Sequence, residues 1–260
     1  MAGRLKEWLR QGELVRVFAL GQLCHPKVIE IVGSHGGWHA VWLDQEHGGL
    51  TLEQLEHGLR AARAAGLESF VRLAPTDYAT VMRPLEAGAG GVMAAQVRGA
   101  AQAEEVVRWA KFAPRGERGF NSSGFDGGYG TLPFQEYTRR ANEQTFVAIQ
   151  IEHRGAVAEV DAIAAVPDVD LLFIGPADLS QSLGVPGEWD HPRLWEAVER
   201  VAAAARAHGI HWAILPPSPA HARRCVALGC RMLSLGLDVW AVMKGLKTFK
   251  TDYADYFATK

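Results

Sequence analysis

The sequence predicts an eight-stranded, TIM-type (β/α)8 barrel formed by a single domain, residues 1–260. Three observations favour this fold. Short β-type runs alternate with helical patterns from one end of the chain to the other, which is typical of βα units around a parallel sheet. Most of these runs are separated by about the length of one βα unit. The 260 residues also match the size of one complete barrel, which is roughly 250 residues.

The eight strands are predicted from short runs that are rich in Val, Ile, Leu and Phe. These runs are residues 15–20, 40–44, 69–73, 91–96, 146–151, 170–174, 212–215 and 232–235. The fourth and fifth runs are about twice as far apart as the others, and the interval between them contains a glycine-rich segment, residues 115–130. Its aromatic residues Phe120, Phe125 and Tyr129 favour a lid or a subunit contact over a disordered surface loop.

The segments between the runs show helical spacing and helix-end signals. Thr51, with Gln54 three residues later, predicts a capping box at the start of one helix. Before the first run, Leu5, Trp8 and Leu9 follow the i, i+3, i+4 spacing of a helix. We expect this short N-terminal helix to close the bottom of the barrel.

The charge and composition exclude several classes of partner. Lys and Arg number 27 against 29 Asp and Glu, and no stretch combines basic and aromatic residues as a nucleic-acid surface does. No segment approaches the roughly 20 apolar residues that are needed to span a bilayer. We therefore expect a small-molecule ligand, with neither nucleic acid nor membrane as a partner.

The cysteines and the N-terminal segment favour a cytoplasmic protein. Cys24, Cys225 and Cys230 are odd in number, and the spacing of the last two fits no common zinc or redox motif. We interpret all three as reduced core thiols, which suit a reducing compartment. Charged residues interrupt the N-terminal segment every few positions, so it does not have the pattern of a signal peptide.

Two carboxylates are predicted to lie together where the strands end, which is where β/α barrels carry their active sites. In the fifth run the period of two places Gln150 and Glu152 on one face, and Asp178 follows the sixth run, one βα unit later. Two adjacent carboxylates repel each other, and a divalent cation such as Mg²⁺ or Mn²⁺ removes the repulsion. The alternative is that each acid is structural, Asp178 as a helix N-cap and Glu152 as the ion-pair partner of Arg154.

Polar residues also follow or interrupt the second and third runs. Asp44, Glu46 and His47 lie between an apolar strand and a glycine turn. A histidine with nearby carboxylates suits a general base near neutral pH, and the alternative is a structural histidine. Arg72 lies within the apolar third run, where its guanidinium needs an anion. That anion is either a carboxylate of the barrel or a substrate carboxylate or enolate.

With these residues assembled, the sequence resembles the HpcH/HpaI aldolase family. These are the metal-dependent, class II pyruvate aldolases of the phosphoenolpyruvate/pyruvate barrel superfamily. The similarity extends from about Leu5 to Tyr256 and depends on the order and spacing of several motifs. The motifs are Trp-Leu-Asp-Gln-Glu-His-Gly (42–48), Val-Arg-Leu (71–73), Leu-Glu-Ala-Gly-Ala (85–89), Phe-Ala-Pro-Arg-Gly-Glu-Arg-Gly (112–119), Gln-Ile-Glu (150–152) and Phe-Ile-Gly-Pro-Ala-Asp-Leu-Ser (173–180).

The resemblance implies a metal site and a donor site. Glu152 and Asp178 would be the ligands of a divalent cation, Mg²⁺, Mn²⁺ or Co²⁺. Arg72 would bind the keto or enolate oxygen of a pyruvate-like donor, and Gln150 would orient a metal-bound water or the donor. The donor carboxylate would be bound by backbone N–H groups around the turn after the sixth run, at Gly175, Pro176, Ala177 and Asp178.

The resemblance also implies an acid/base group and an acceptor pocket. His47, beside Asp44, would be the acid/base group, acting directly or through a metal-bound water. The family often has a carboxylate at the position of Glu86, near the histidine or across a subunit contact, although several relatives have Asp there. Leu215 matches a pocket position in relatives, and Gly21 stands where an aromatic residue often shapes the acceptor pocket. This last difference predicts a different or wider pocket for the aldehyde.

The implied reaction is the reversible cleavage of a 4-hydroxy-2-oxo acid to pyruvate or hydroxypyruvate and an aldehyde. One alternative is an acyl-CoA lyase like the citrate lyase β-type relatives, although no basic cluster for a CoA diphosphate is present. Another is a non-catalytic barrel that binds a metal and a 2-oxo acid. The family further implies a homo-oligomer, a hexamer or trimer of dimers, whose last helix is exchanged between subunits. Residues 238–256 are apolar enough for this exchange or for packing on their own barrel.

Overall fold

Eight parallel strands form the centre of the protein in this computed structural model, which describes residues 3–257. The strands are β1 Val15–Leu20, β2 Ala40–Asp44, β3 Glu68–Leu73, β4 Gly91–Ala94, β5 Phe146–Ile151, β6 Leu171–Ile174, β7 His211–Ile214 and β8 Met232–Leu237. Each strand pairs with the next along the chain, and β8 pairs with β1, so the sheet closes into a barrel. The predicted (β/α)8 fold is confirmed.

Two strand ends differ from the prediction, and the others agree within one residue. β4 ends at Ala94 instead of continuing to Gln96, because Gln96 has a φ of 57° and leaves the extended conformation. β8 continues beyond the predicted end at Leu235 to Leu237. Its last residues are not fully buried and lead directly into the last long helix.

The helices lie on the outside of the barrel and follow the predicted signals. They are α1 Arg4–Arg10, α2 Pro26–His35, α3 Leu52–Ala64, α4 Tyr78–Glu86, α5 Ala100–Ala110, α6 Phe134–Gln144, α7 Arg154–Ala158, α8 Val160–Ala164, α9 Pro176–Ser182, α10 Pro192–Ala207, α11 Pro219–Ala227, α12 Asp238–Asp252 and α13 Ala254–Phe257. The capping box is confirmed, since Thr51 and Gln54 each accept a hydrogen bond from the other's backbone N–H. Within residues 3–257, none of these helices has the length and apolar character required to cross a membrane.

Helix α1 closes one end of the barrel, as the sequence predicts. Leu5 and Leu9 are buried and belong to the same cluster as the interior residues Trp42, Phe70 and Phe146. The cluster fills the interior of the barrel, and α1 covers it at the end where the strands begin, since Arg4 and Lys6 contact Glu68 and Asp170. A ligand therefore has access to the interior from the opposite end, where the strands finish.

The glycine-rich segment packs on the outside of the barrel. The N–H of Gly119 donates to the Tyr78 hydroxyl of α4, and Phe125 lies against the guanidinium of Arg63 in α3, 3.7 Å from ring centroid to Cζ. These contacts hold the segment against α3 and α4, away from the ends of the strands. The segment is therefore not a lid over its own barrel, because its contacts fix it elsewhere, while a subunit contact stays a prediction.

The cysteines are free thiols, as the sequence predicts. Cys225 and Cys230 are buried, and Cys24 is partly buried. Burial raises the pKa of the Cys225 thiol to about 12. The thiol therefore stays protonated and unreactive at neutral pH.

Helix α12 does not pack against its own barrel along its length. Asp238 is its only buried residue, and its main contacts are with β8, β1 and α13. Large apolar side chains are exposed along it, namely Trp240, Val242, Met243, Leu246 and Phe249. Of the two possibilities that the sequence left open, packing on its own barrel is therefore wrong for this helix.

Candidate active site

The ends of neighbouring strands bring most of the predicted site residues together. Asp44 is the last residue of β2, and it pairs in register with Arg72 on β3. Gln150 lies on β5, and Glu152 follows that strand directly. Asp178 lies in the first turn of α9, which follows β6. These residues surround the mouth of the barrel at the end that α1 does not cover.

Arg72 is held by two carboxylates and an aromatic ring. Its Nε and Nη2 donate to Asp44 Oδ1 and Oδ2 at 3.0 and 2.6 Å, and Nη1 lies 3.1 Å from Glu46 Oε2. The face of Trp42 lies 4.7 Å from the Arg72 guanidinium carbon. Of the two anions that the sequence left open for Arg72, the barrel carboxylate is present. A guanidinium has five N–H donors, and Asp44 accepts from two of them, so three have no hydrogen-bond acceptor among the described residues.

His47 lies at the same end of the barrel, in a turn that the side chain of Asp44 caps. Asp44 Oδ1 accepts hydrogen bonds from the backbone N–H groups of Glu46 at 3.0 Å and His47 at 3.3 Å. The His47 side chain is 61% exposed, and its Nε2 is 3.8 Å from Glu46 Oε2. The imidazole thus contacts the solvent-filled mouth, where it can exchange a proton with a ligand, and it is not fixed within the core.

Glu152 is buried, and each of its carboxylate oxygens accepts one hydrogen bond. The N–H of Gln96 donates to Glu152 Oε1 at 2.6 Å, and the side-chain amide of Gln150 donates to Oε2. Gly175 makes room for these groups, because a Cβ there would lie 2.8 Å from Glu152 Oε2. None of the ion pairs within residues 3–257 joins Glu152 to Arg154, so the alternative structural role is wrong for Glu152.

The alternative structural role is also wrong for Asp178. The N-cap of α9 is Gly175, whereas Asp178 lies inside the first turn and is partly exposed. The backbone N–H groups of Ala177 and Asp178 lie at the start of this helix, where N–H groups have no intrahelical acceptor. Pro176 occupies the first helical position, where its missing N–H costs no hydrogen bond.

The site carries more negative than positive charge. Burial is the largest of the causes that raise the pKa of Glu152 to about 7, and the charges of Glu46 and Asp178 act in the same direction. The Gln96 N–H and Arg72 lower the pKa of Glu152 but do not offset these effects. A second cation near Glu152 would stabilise the ionised carboxylate.

A hard divalent cation fits the donors that are present. Within residues 3–257, no three His, Cys, Asp or Glu side chains are grouped closely enough to hold a metal together, so the protein could supply two ligands, Glu152 and Asp178. Two carboxylates with open positions suit Mg²⁺ or Mn²⁺, which keep waters and bind substrate oxygens. Gln150 Oε1 is buried and has no hydrogen-bond donor among the described residues, so a bound water or ligand would satisfy it.

The two residues that were predicted for the acceptor side, Gly21 and Leu215, directly follow the ends of β1 and β7. Leu215 is partly buried and packs on the interior cluster of the barrel. Gly21 follows β1, and a Cβ there would lie 3.1 Å from Leu237 Cδ1. The structure therefore groups Gly21 and Leu215 with the strand ends, as the sequence predicts.

Glu86 is the one predicted residue that the chain does not bring to the mouth. It ends α4 at the level where β4 begins, and it accepts a hydrogen bond from Asn121 Nδ2 at 3.3 Å. Within one chain Glu86 and His47 therefore lie at opposite ends of the barrel. A role for Glu86 across a subunit contact stays a prediction.

The sequence analysis gave no role to two polar residues at the mouth. Gln96 donates to Glu152, and Asp238 begins α12. Each follows the end of a strand, which is the signal that could have identified them. The positive φ of Gln96, which directs its N–H toward Glu152, has no counterpart in the sequence pattern.

Comparison with known proteins identifies the family. Residues 17–244 match the sequence profile described as HpcH/HpaI aldolase/citrate lyase. The chain is 34% identical over 244 residues to a hydroxypyruvate/pyruvate aldolase of Pseudomonas aeruginosa, which covers 94% of this chain and 90% of the relative. It is 31% identical over 228 residues to a 2-keto-3-deoxy-L-rhamnonate aldolase of Klebsiella pneumoniae, covering 86% and 85% of the two chains.

Solved structures give the same result. The crystal structure of an HpcH/HpaI aldolase from Desulfitobacterium hafniense superposes with a TM-score of 0.89 and 33% identity, covering 96% of this chain and 97% of that one. The sequence match extends over most of the barrel, and it includes the strand ends that carry Asp44, Arg72, Glu152 and Asp178. The chain belongs to the HpcH/HpaI aldolase/citrate lyase family.

Proposed function

We propose that the protein is a divalent-metal-dependent aldolase that reversibly cleaves a 4-hydroxy-2-oxo acid to pyruvate or hydroxypyruvate and an aldehyde. The names of the curated relatives support an aldolase. The single observation that carries the proposal is the arrangement of Glu152 and Asp178 beside Arg72 at the open mouth of the barrel. This arrangement suits a ligand that has two adjacent oxygen atoms and develops negative charge.

Glu152 and Asp178 would hold the divalent cation, Mg²⁺, Mn²⁺ or Co²⁺. The bound cation would supply Lewis-acid stabilisation to the carboxylate and keto oxygens of the 2-oxo acid. Gln150, whose Oε1 is buried without a donor, would orient a bound water or the donor. The N–H groups of Ala177 and Asp178 would bind the donor carboxylate at the start of α9.

Arg72 would stabilise the enolate that forms when the C3–C4 bond breaks. Its two carboxylate partners, Asp44 and Glu46, fix the plane of the guanidinium, so little reorganisation is needed during the reaction. The electron pair of the broken bond remains on the donor as the enolate, which then takes a proton at C3. A fixed positive group near the enolate oxygen lowers the barrier to this step.

His47 would remove the proton from the C4 hydroxyl of the substrate, directly or through a water. Loss of this proton converts the C4 carbon to the carbonyl of the departing aldehyde. In the reverse direction His47 would return the proton to the new hydroxyl. The exposed imidazole and the turn capped by Asp44 support this role.

The aldehyde and the donor are the parts of the substrate on which the relatives differ. One relative is named for hydroxypyruvate and pyruvate, and the other for a deoxy sugar acid. On this chain Gly21 and Leu215 would form an apolar acceptor side together with Leu237, whose side chain lies beside Gly21. We propose that this side accepts aldehydes of more than one size.

We propose that the protein is a homo-oligomer, a hexamer or trimer of dimers, in which α12 packs on another copy. The exposed apolar residues of α12 support this assembly, since such a surface is unfavourable in water. Leu23 after β1, Ile31 on α2 and Leu235 on β8 are exposed and would receive the helix of a second copy. The free thiols support a cytoplasmic location.

Proton exchange at the methyl group of pyruvate tests the proposed function. The protein should catalyse this exchange in the presence of Mg²⁺, Mn²⁺ or Co²⁺, lose it in EDTA, and regain it when metal is restored. Exchange that ignores metal would contradict the proposal. A barrel that only binds 2-oxo acids would bind pyruvate without exchange, and an acyl-CoA lyase would cleave a CoA ester and leave pyruvate unchanged.

A further inference from the structure

Asp238 is a buried carboxylate at the point where α12 leaves the barrel. Its side chain is only 1% exposed. Oδ2 accepts hydrogen bonds from the N–H groups of Gln22 at 2.9 Å and Leu23 at 2.6 Å, and Oδ1 accepts one from Val239 at 2.7 Å. Among the ion pairs of residues 3–257, none gives Asp238 a cationic partner, so these N–H groups stabilise its charge.

The turn that Asp238 holds, residues 21–23, also contacts the loop that carries His47. Gln22 Nε2 donates to the His47 carbonyl oxygen at 3.2 Å. Gly48 approaches the turn so closely that a Cβ there would lie 2.4 Å from the Gly21 carbonyl oxygen. Leu237, the residue that precedes α12, also packs against Gly21. The turn therefore contacts both the start of α12 and the His47 loop.

Asp238 also anchors α12. The rest of the helix buries no residue within its own chain, so the position of its first turn depends on this carboxylate. The same side chain therefore fixes the start of α12 and the turn after β1. Arg72 contacts the His47 loop at Glu46, but neither Arg72 nor Glu152 forms a hydrogen bond with Asp238 or with residues 21–23, because their hydrogen bonds go to Asp44, Gln96 and Gln150.

We propose that Asp238 is a positioning residue that holds the turn at residues 21–23 and, through Gln22, the loop of His47. The inference rests on the acid/base role of His47 in the proposed function. Removal of the Asp238 carboxylate should displace His47 while the metal ligands and Arg72 keep their positions. Asp238 acts through backbone groups and does not touch the reacting atoms.

Hydrogen–deuterium exchange of the backbone, followed by mass spectrometry, tests this coupling without relying on any activity. Asp238→Asn keeps the size of the side chain but turns an amide NH₂ toward N–H donors. Peptides that cover residues 20–24 and 45–49 should exchange about tenfold faster, as expected for loss of a charge-assisted hydrogen bond. Asp252→Asn, at the exposed end of the same helix, is the matched control and should change neither peptide. Unchanged exchange at residues 45–49 in Asp238→Asn would overturn the proposal.

A second variant keeps the test valid if Asp238→Asn destabilises the whole protein. Gln22→Ala removes the side-chain hydrogen bond to His47 but leaves the Gln22 N–H bound to Asp238. Exchange should then increase at residues 45–49 and stay unchanged at residues 20–24. If residues 45–49 of Gln22→Ala exchange at the wild-type rate, the link through Gln22 does not exist.

Kinetics separate failure of this inference from failure of the proposed function. If the wild-type protein is an aldolase, Asp238→Asn should lower kcat about tenfold while the KM for the 2-oxo acid is unchanged. An increase in KM with unchanged kcat would contradict a role in positioning His47. If the wild-type protein shows no aldolase activity, the proposed function fails, and the exchange experiment still decides whether Asp238 supports the His47 loop.

Discussion

The two ends of the barrel differ in how their carboxylates are balanced by positive charge. At the end where the strands begin, Glu68 lies 2.8 Å from Arg4 Nε, and Asp170 lies 2.9 Å from Lys6 Nζ. Each acid has its own cation. A cavity of about 1160 Å³ lies at this end, beside Arg4 and Glu68.

At the opposite end, four carboxylates lie around the guanidinium of Arg72, and only two of them contact it. Asp44 and Glu46 contact Arg72, while Glu152 and Asp178 have no cation of their own among the described residues. The excess of negative charge, and not the size of a cavity, identifies this end as the place for a cation and its ligand. The carboxylates that the protein leaves without a cation therefore mark the site.

The strongest test of this difference removes one of the uncompensated carboxylates. Asp178→Asn should lower the cleavage rate by at least about 10³-fold, because a neutral amide binds a hard divalent cation poorly and its Lewis-acid contribution is lost. Steady-state kinetics under saturating Mg²⁺ measure the effect.

Glu68→Gln at the opposite end is the matched control. It removes the charge of a carboxylate that has its own cation, so it should lower the melting temperature and leave kcat unchanged. Similar losses of activity in Asp178→Asn and Glu68→Gln would contradict the distinction between the two ends.

Removal of the shared guanidinium should have the next largest effect. Arg72→Ala should slow pyruvate proton exchange about 10²- to 10³-fold, since a donor to the developing enolate is lost. Mn²⁺ binding should persist, because Glu152 and Asp178 are unchanged. Arg72→Lys keeps the charge but loses the two-point contact with Asp44, so its rate should lie between those of Arg72→Ala and wild type. Wild-type exchange by Arg72→Ala would exclude the assigned role.

Removal of the imidazole should cost less. His47→Ala should lower the rate of aldol cleavage about 10²-fold, near the lower limit for a general acid/base group, because solvent reaches the exposed position and partly replaces the imidazole. Full cleavage activity at neutral pH would show that another group transfers the proton.

The smallest expected effect is a change in the apparent affinity for the metal ion when the pH changes. The pKa of Glu152 in the metal-free protein is raised to about 7, so the carboxyl is protonated below that pH and a cation must displace the proton. Apparent affinity for Mg²⁺ should therefore weaken about tenfold for each unit below pH 7 and level off above it. Calorimetry in buffers with different ionisation enthalpies measures both the affinity and the released proton. Constant affinity between about pH 5.5 and 8.5 would contradict the raised pKa.

The fold could be predicted from the sequence because each strand is a short apolar run followed by a helix. Burial on both faces requires such runs in a parallel barrel, and so their number and order are visible. The end of β4 could not be predicted, because it depends on the positive φ of Gln96. The exposure of α12 could not be predicted either, because an apolar face fits its own barrel or another copy equally well.

The site was predictable in part for a related physical reason. Glu152, Asp178, Arg72 and Asp44 lie on or directly after strands, so topology alone brings them together. Glu86 was predicted near the histidine, but it ends α4, which runs back from the end of β3 toward the start of β4, so it lies at the opposite end of its own barrel. Asp238 was missed because its partners are backbone N–H groups, which have no signature in the sequence.

Binding of Mn²⁺, followed by electron paramagnetic resonance, tests most directly that Glu152 and Asp178 form a cation site for a 2-oxo acid. We expect one Mn²⁺ per chain and a changed spectrum when pyruvate is added, because its oxygens replace bound waters. Asp178→Asn should lose the binding, whereas Glu68→Gln should retain it. Absence of Mn²⁺ binding by the wild-type protein, or equal binding by Asp178→Asn, would contradict the assignment.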